Sequence, residues 1–255
     1  MRLIDTHCHI DVDEFADDRD RVIAESRRQN IDAIIVPGII AERFDSLEEI
    51  CRDPLLYPAF GLHPVYLDRH VPDDLKKVER RVAESAPVAI GEIGLDYFID
   101  SPDVAGQKRL LEAQLLLARD AGLPVLLHIR KAHDHVLAML RRMRFSNGGI
   151  AHAFNGSHQQ AEQFLALGFK LGFGGVVSYE RSGKIRRLAA DLPLSAIVLE
   201  TDAPDLPPVS HRGERNSPAY LPEILVTLSK LRDEAPEVIA EKTTINAIEL
   251  MPALA

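Results

Sequence analysis

Short apolar runs recur along the chain at residues 3–4, 33–36, 57–61, 88–93, 125–129, 149–154, 170–177 and 196–199. Most of them do not alternate between polar and apolar positions. A strand covered on both faces reads this way, as in a parallel sheet flanked by helices. Stretches with helical spacing lie between the runs. The clearest covers 104–121, where Lys108, Glu112 and Arg119 share one face and Leu110, Ala113 and Leu117 another. Gly122 follows as a C-cap and Pro124 blocks continuation. Ser157-His158-Gln159-Gln160 predicts a capping box that opens a helix ending near Gly168. Further helices are predicted over 19–30, 43–52, 73–85, 132–144, 183–191, 218–233 and 236–250.

Eight apolar runs, each followed by a helical stretch, predict an α/β fold: a closed (β/α)8 TIM barrel forming one domain over residues 1–255. The length agrees with the roughly 250 residues typical of that barrel. An open doubly wound sheet is the runner-up. It would carry a glycine-rich phosphate loop after the first strand, whereas that turn reads Asp5-Thr6-His7-Cys8-His9 and holds no glycine. The longest turn-rich loop, 204–218, is expected over one mouth of the barrel.

Composition narrows the function. Thirty Lys and Arg against 39 Asp and Glu give a net charge of −9, which excludes a basic nucleic-acid-coating protein. It leaves room for local cationic sites, bound metal ions included. No stretch approaches the ~20 apolar residues of a bilayer span, and the N-terminus lacks the apolar core of a signal peptide. The two cysteines, Cys8 and Cys51, are expected as free thiols. Together these point to a cytoplasmic protein.

Candidate chemistry sits where the strands end. Run one ends in His7-x-His9; residues two apart on an extended segment point the same way, so both imidazoles can reach one point. Glu92 lies inside the glycine-flanked run Ala89-Ile90-Gly91-Glu92-Ile93-Gly94. His128 ends run five, His152 lies in run six, and Asp202 follows run eight. A parallel barrel brings all C-terminal strand ends to one rim, where its active sites lie. Glu200 points the same way as Asp202 but one pleat short of the mouth, so a supporting role is expected for it. Four histidines and two carboxylates, with no paired cysteines, suit Zn²⁺, Mn²⁺, Mg²⁺ or Fe²⁺. Six ligands exceed the three that one catalytic zinc takes. The surplus favours two ions about 3.5–4 Å apart, and the two oxygens of Glu92 can bridge such a pair.

These residues stand in a wider set of motifs that resembles the TatD-type metal-dependent deoxyribonucleases, within the amidohydrolase-like barrels. The matching pieces are Ile4-Asp5-Thr6-His7-Cys8-His9, Gly61-Leu62-His63-Pro64, Gly91-Glu92-Ile93-Gly94-Leu95-Asp96-Tyr97, the segment from Leu123 to Arg130, His152-Ala153-Phe154-Asn155-Gly156-Ser157, and Glu200-Thr201-Asp202-Ala203-Pro204. The resemblance implies a two-metal site that hydrolyses phosphodiester bonds. It implies that His7, His9, Glu92 and Asp202 hold one ion, and that Glu92, His128 and His152 hold the other. It places His63 and Arg130 near the substrate phosphate. The chain departs from the commonest pattern at Ile129, Ala153, Asn155, Asp205 and Ser217 without losing a ligand. Asp205 stands where an aromatic is frequent, and with no Trp and 5 % aromatics there is little material for a long base-stacking track.

The expected activity is therefore hydrolysis by a metal-activated water, with Glu92 and Asp202 as catalytic carboxylates and Asp202 taking the proton. DNA is the expected substrate, bound transiently, with no membrane and no protein partner implied. The alternatives are a metallohydrolase acting on a carboxylic ester, lactone or aminoacyl ester, and a non-catalytic metal-binding protein. His133 and His135 read as exposed residues at a helix start, and His211 as a loop residue that can line the mouth.

Overall fold

The structure is a computed structural model that describes residues 2–255. Eight parallel strands run in sequence order around one sheet: β1 (Leu3–Asp5), β2 (Ile31–Pro37), β3 (Leu56–Phe60), β4 (Ala89–Asp96), β5 (Val125–Arg130), β6 (Gly149–Ala151), β7 (Phe169–Phe173) and β8 (Ile197–Leu199). Around them lie α1 (Arg19–Arg28), α2 (Phe44–Ile50), α3 (Asp74–Ser85), α4 (Val104–Ala121), α5 (His133–Arg142), α6 (His158–Ala166), α7 (Gly183–Asp191), α8 (Leu221–Arg232) and α9 (Pro236–Leu250). This is the (β/α)8 barrel expected. Among the described residues no strand ladder joins β8 to β1. The seam is made by the Thr6 N–H donating to the Leu199 carbonyl at 3.0 Å and the Asp202 N–H donating to the His7 carbonyl at 2.8 Å. Among the described residues no helix is long and apolar enough to cross a membrane.

The elements form for the local reasons the sequence offers. Helix α4 stops at Gly122, whose φ of 70° is the left-handed C-cap conformation. Helix α6 opens with both arms of the capping box: Ser157 Oγ accepts from the Gln160 N–H, and the Gln160 side chain accepts from the Ser157 N–H. The apolar runs overshoot the strands in two places. Run six continues to Phe154 but β6 ends at Ala151, and run seven continues to Val177 where Gly175–Ser178 is a 3-10 turn. There the chain has left the sheet and uses apolar side chains to line the mouth.

Strand alternation sorts the core into two sets. Ile34, Val36, Val125, Leu127, Ile197 and Leu199 pack outward against the helices. Ile4, Ala33, Ile35, Ala59, Ala89, Leu126, Ile150 and Val198 form a separate apolar cluster, closed by Ala247, Met251 and Leu254 from α9 and the C-terminal turn. Read with a period of two, this inner floor leads at the next inward position to His128 on β5, His152 just after β6 and Glu200 just after β8. Strand β4 reaches the same layer by a different device. Its Ile90 and Ile93 pair with Val125 and Leu127, so three steps on β4 match two on β5. This bulge lets both isoleucines face the helices while Glu92 turns inward. Two glycines make the arrangement possible. A Cβ on Gly94 would lie 1.9 Å from the His128 carbonyl oxygen, and one on Gly172 would lie 2.0 Å from the Glu200 carboxylate.

His133 corrects an expectation. It is buried, while His135 is exposed as predicted. The first turn of α5 packs inward, and His133 lies edge-on to Phe154 and Phe164 at centroid separations of 5.5 and 6.4 Å. Burial, followed by the charge of Lys184, pushes its imidazole from 6.5 down to about 4. The unfolded chain therefore takes up a proton near pH 6.5 that the folded chain refuses until about pH 4. The stability contributed by neutral His133 is fully present above 6.5 and is lost progressively as the pH falls through that window. Urea unfolding between pH 7 and 4 should show the midpoint of the wild type dropping more steeply than that of His133→Phe. Parallel pH profiles would refute this role of the histidine.

Candidate metal centre

Glu92 is buried at the middle of the barrel mouth, and its two oxygens face different groups. Its Oε2 lies 3.2 Å from His7 Nε2 and 3.3 Å from His9 Nε2. The same two nitrogens lie 3.8 Å from Asp202 Oδ1. Its Oε1 lies 3.1 Å from His128 Nδ1, 3.0 Å from His152 Nε2 and 3.4 Å from His63 Nε2. All six predicted ligands and His63 thus converge around one carboxylate. Three clusters have ligand atoms within 4.8 Å of one another: His7–Glu92–His152, His7–His9–Asp202 and His63–Glu92–His128. Arg130 lies apart from them, at the rim of a cavity of about 620 Å³ whose floor is the cluster.

The hydrogen-bonding partners on the far sides of the rings identify their tautomers. His9 Nδ1 lies 3.2 Å from the Pro37 carbonyl, which can only accept, so this nitrogen carries a proton and Nε2 is the nitrogen that faces the cluster. His128 Nε2 donates to Asp96 Oδ2 at 2.9 Å, leaving Nδ1 to face Glu92. His63 is the reverse case. Its Nδ1 accepts from the Val65 N–H at 3.2 Å, so in the neutral ring Nε2 is the protonated nitrogen and points an N–H at Glu92. His152 Nδ1 lies 3.7 Å from Glu200 Oε1, and its ring stacks on that of His7 at 4.0 Å.

The charges follow from this crowding. Burial works against ionisation of Glu92, but His63, His7, His152 and His128 together hold its carboxyl well below the usual range. Burial, then the charge of His152, pushes His7 from 6.5 down to about 3. His9 rises to about 9, because Glu92, Asp202 and Asp11 outweigh the effect of its burial. Asp202 is pushed up to about 6, chiefly by burial.

The donor set fits divalent ions. His7 Nε2 and His9 Nε2 face each other at 3.3 Å and also face a carboxylate oxygen, and one proton cannot serve all three acceptors. Ligands about 2.1 Å from a tetrahedral ion are separated by about 3.4 Å, and the separations around Glu92 are of that size. Nitrogen and oxygen donors without thiolate match the metals named from the sequence.

Three supporting residues escaped sequence reasoning. Asp5 is fully buried. Its Oδ1 accepts from the Thr201 N–H at 2.9 Å and the His7 N–H at 3.2 Å, and its Oδ2 accepts from Thr201 Oγ at 2.6 Å. It ties the end of β1 to the end of β8 and so fixes His7 against Asp202. Asp96 orients His128, and Gln107 holds the Asp96 backbone by donating to its carbonyl and accepting from its N–H, both at 2.8 Å. The available signal was inward parity: Asp96 lies two residues beyond Gly94, which pairs with His128. Glu200 sits under the cluster as expected, accepting from the Ala153 N–H at 2.5 Å. His211 does not reach the cavity. It lies between Glu214 and Glu223 at 3.0 and 2.9 Å and stacks on Tyr220. Cys8 and Cys51 are unpaired, as expected.

Comparison with known proteins agrees with the geometry. A model of the family "TatD related DNase" matches residues 4–252. The uncharacterized metal-dependent hydrolase YjjV of Escherichia coli K12 is 40 % identical over 254 residues, covering 98 % of this chain and 97 % of that protein. The crystal structure of YjjV, a TatD homolog, superposes with a TM-score of 0.95 at 38 % identity and covers 98 % of both chains. The 3'-5' ssDNA/RNA exonuclease TatD of Erwinia billingiae is 32 % identical over 245 residues, covering 93 % of this chain and 94 % of that one. With the family model spanning nearly its whole length, and a barrel mouth built of imidazoles and carboxylates, this chain is a metal-dependent hydrolase belonging to the TatD related DNase family.

Proposed function

We propose that the protein hydrolyses phosphodiester bonds in DNA, with two divalent ions held in the barrel mouth by His7, His9, Glu92, His128, His152 and Asp202. The observation that carries this reading is the division of the Glu92 oxygens, one toward His7 and His9, which also face Asp202, and the other toward His128, His152 and His63. A carboxylate presented in this way suits a bridge between neighbouring ions. Mg²⁺, Mn²⁺ and Zn²⁺ all accept such donors. The active unit is taken as the whole of residues 1–255, working in the reducing cytoplasm that its two free thiols suit.

Bound there, the ions supply Lewis acidity and lower the pKa of a coordinated water to near neutrality. The chain's own groups supply the rest. Asp202, at the edge of the cluster and 14 % exposed in its side chain, is the carboxylate placed to orient water and receive its proton. His63 presents its Nε2–H toward the cluster and suits a hydrogen bond to a phosphoryl oxygen. Arg130, at the rim, offers a planar fork of N–H donors for a phosphate entering the cavity. Pro37 and Asp96 hold His9 and His128 by their outer nitrogens, the arrangement that fixes ligand orientation.

Labelled single-stranded DNA should be cleaved by metal-reconstituted protein, and a chelator should abolish cleavage until Mg²⁺, Mn²⁺ or Zn²⁺ is restored. A parallel panel of nitrophenyl phosphodiesters, carboxylic esters and lactones separates this reading from a carboxyl-ester hydrolase. Turnover confined to the esters would overturn it. Glu92→Ala should lose at least about 10³-fold in kcat/KM, a transition-state loss of about 4 kcal/mol, and should retain fewer ions by elemental analysis. Two retained ions with near-normal rates would sink the bridging assignment. Asp96→Ala should weaken metal affinity or activity by about 10–100-fold, the usual effect of losing an outer partner of a ligating histidine. A metal titration unchanged from wild type would remove Asp96 from that role.

A further inference from the structure

Eight of the nine phenylalanines are buried. The ninth, Phe98, stands just beyond β4 at the catalytic end of the barrel and is 57 % exposed. A single exposed apolar side chain is ordinary on a protein surface, but the surroundings of this one are not. Its backbone N–H donates to Asp96 Oδ1 at 2.8 Å, and the other oxygen of Asp96 accepts from His128 Nε2. The Phe98 backbone is therefore tied through one carboxylate to a histidine of the cluster. The Arg130 guanidinium carbon lies 4.0 Å from the ring centroid, a close cation–π stack, and Arg130 itself lines the cavity. More than half of Phe98 remains exposed to solvent beside Arg130.

The charged side chains that line the cavity away from the cluster are unevenly placed. Glu14 and Asp205 line the cavity from the β1 and β8 loops, where they repel phosphate. Arg130 lines it from the β5 side. On the neighbouring wall the Lys184 ammonium donates to the Asn155 carbonyl at 2.6 Å, and Asn155 also lines the cavity. Every base offers a π face, so a single accessible ring beside a phosphate-binding arginine is enough to seat one.

We propose that Phe98, with Arg130 stacked on it, is the base-stacking platform of this site, holding the nucleobase of the nucleotide that flanks the scissile phosphodiester on the β4–β5 side of the mouth. The proposal rests on the phosphodiesterase reading above. Phe98 is a specificity-determining residue: it selects phosphodiesters that carry a neighbouring base over simple ones, and it acts on KM.

The test compares wild type, Phe98→Ala and Phe98→Tyr on three substrates. These are a labelled single-stranded oligonucleotide, the same oligonucleotide with an abasic residue beside the cleaved bond, and a methyl nitrophenyl phosphodiester. For Phe98→Ala, the kcat/KM ratio of oligonucleotide to small diester should fall about tenfold, through KM, as expected for the loss of one aromatic–base stack. Phe98→Tyr should restore the ratio. Removing the base should cost the wild type about tenfold and Phe98→Ala about twofold or less, the signature of a coupled pair. Equal losses of both proteins on the abasic substrate would overturn the proposal. So would an equal loss by Phe98→Ala on oligonucleotide and small diester, which would mean that Phe98 merely positions Arg130. A wild type that turns over the small diester but no oligonucleotide would overturn the nuclease reading itself and this proposal with it, a result visible before any variant is made.

Discussion

One buried carboxylate organises the barrel mouth. Burying an unpaired carboxylate is prohibitively costly, and burying five imidazoles without acceptors is nearly as unfavourable. Each half of this problem is solved by the other: Glu92 is fully enclosed, and imidazole nitrogens face both of its oxygens. The solution exists only because eight parallel strands, far apart in the chain, deliver their ends to one rim. An open sheet would spread the same residues along an edge tens of ångströms long, beyond the reach of any single group.

The floor beneath the cluster makes that rim rigid. The inner apolar layer of Ile4, Ile35, Leu126, Ile150 and Val198 leaves no room for the polar residues above to sink, and α9 closes it from below. Above the floor, the outer nitrogens of His9 and His128 are held by groups that cannot move independently: a backbone carbonyl at Pro37 and a carboxylate at Asp96 whose own backbone is clasped by Gln107. A ligand set whose orientation is fixed in advance loses less entropy on binding an ion. The Asp5 clasp extends this logic to the seam of the barrel, where a buried side chain reinforces the backbone hydrogen bonds between the ends of β1 and β8.

Most of this architecture was readable from residue order because it is periodic. Eight apolar runs announce eight strands; Glu92 and His128 lie within β4 and β5, and His7, His9, His152 and Asp202 lie just beyond the ends of β1, β6 and β8. What could not be read depends on contacts between distant segments. Nothing local marks His133 as buried, because its burial is set by Phe154 and Phe164 arriving from other parts of the chain. The proton position on His63 is decided by the Val65 N–H in the turn that follows, a geometry that Gly-Leu-His-Pro does not spell out. Asp5 and Asp96 lay in plain view within the matched motifs, yet their partners are Thr201 and His128, 196 and 32 residues away. Run seven was read too long, because hydrophobicity alone cannot tell a strand interior from an apolar wall of the mouth.

The net charge of −9 looks unfavourable for a protein that handles polyanions, but the two facts act over different distances. At physiological ionic strength, charges more than about 8 Å away are largely screened, so carboxylates scattered over the outer helices contribute little at the mouth. What a phosphate meets there is local: Glu14 and Asp205 along one arc, Arg130 and the Lys184 wall along another, and divalent charge at the centre when the site is loaded. An acidic exterior then has a definite consequence. On the proposed reading it disfavours nucleic acid away from the mouth, so that the loaded centre, rather than the surface of the protein, would hold the substrate.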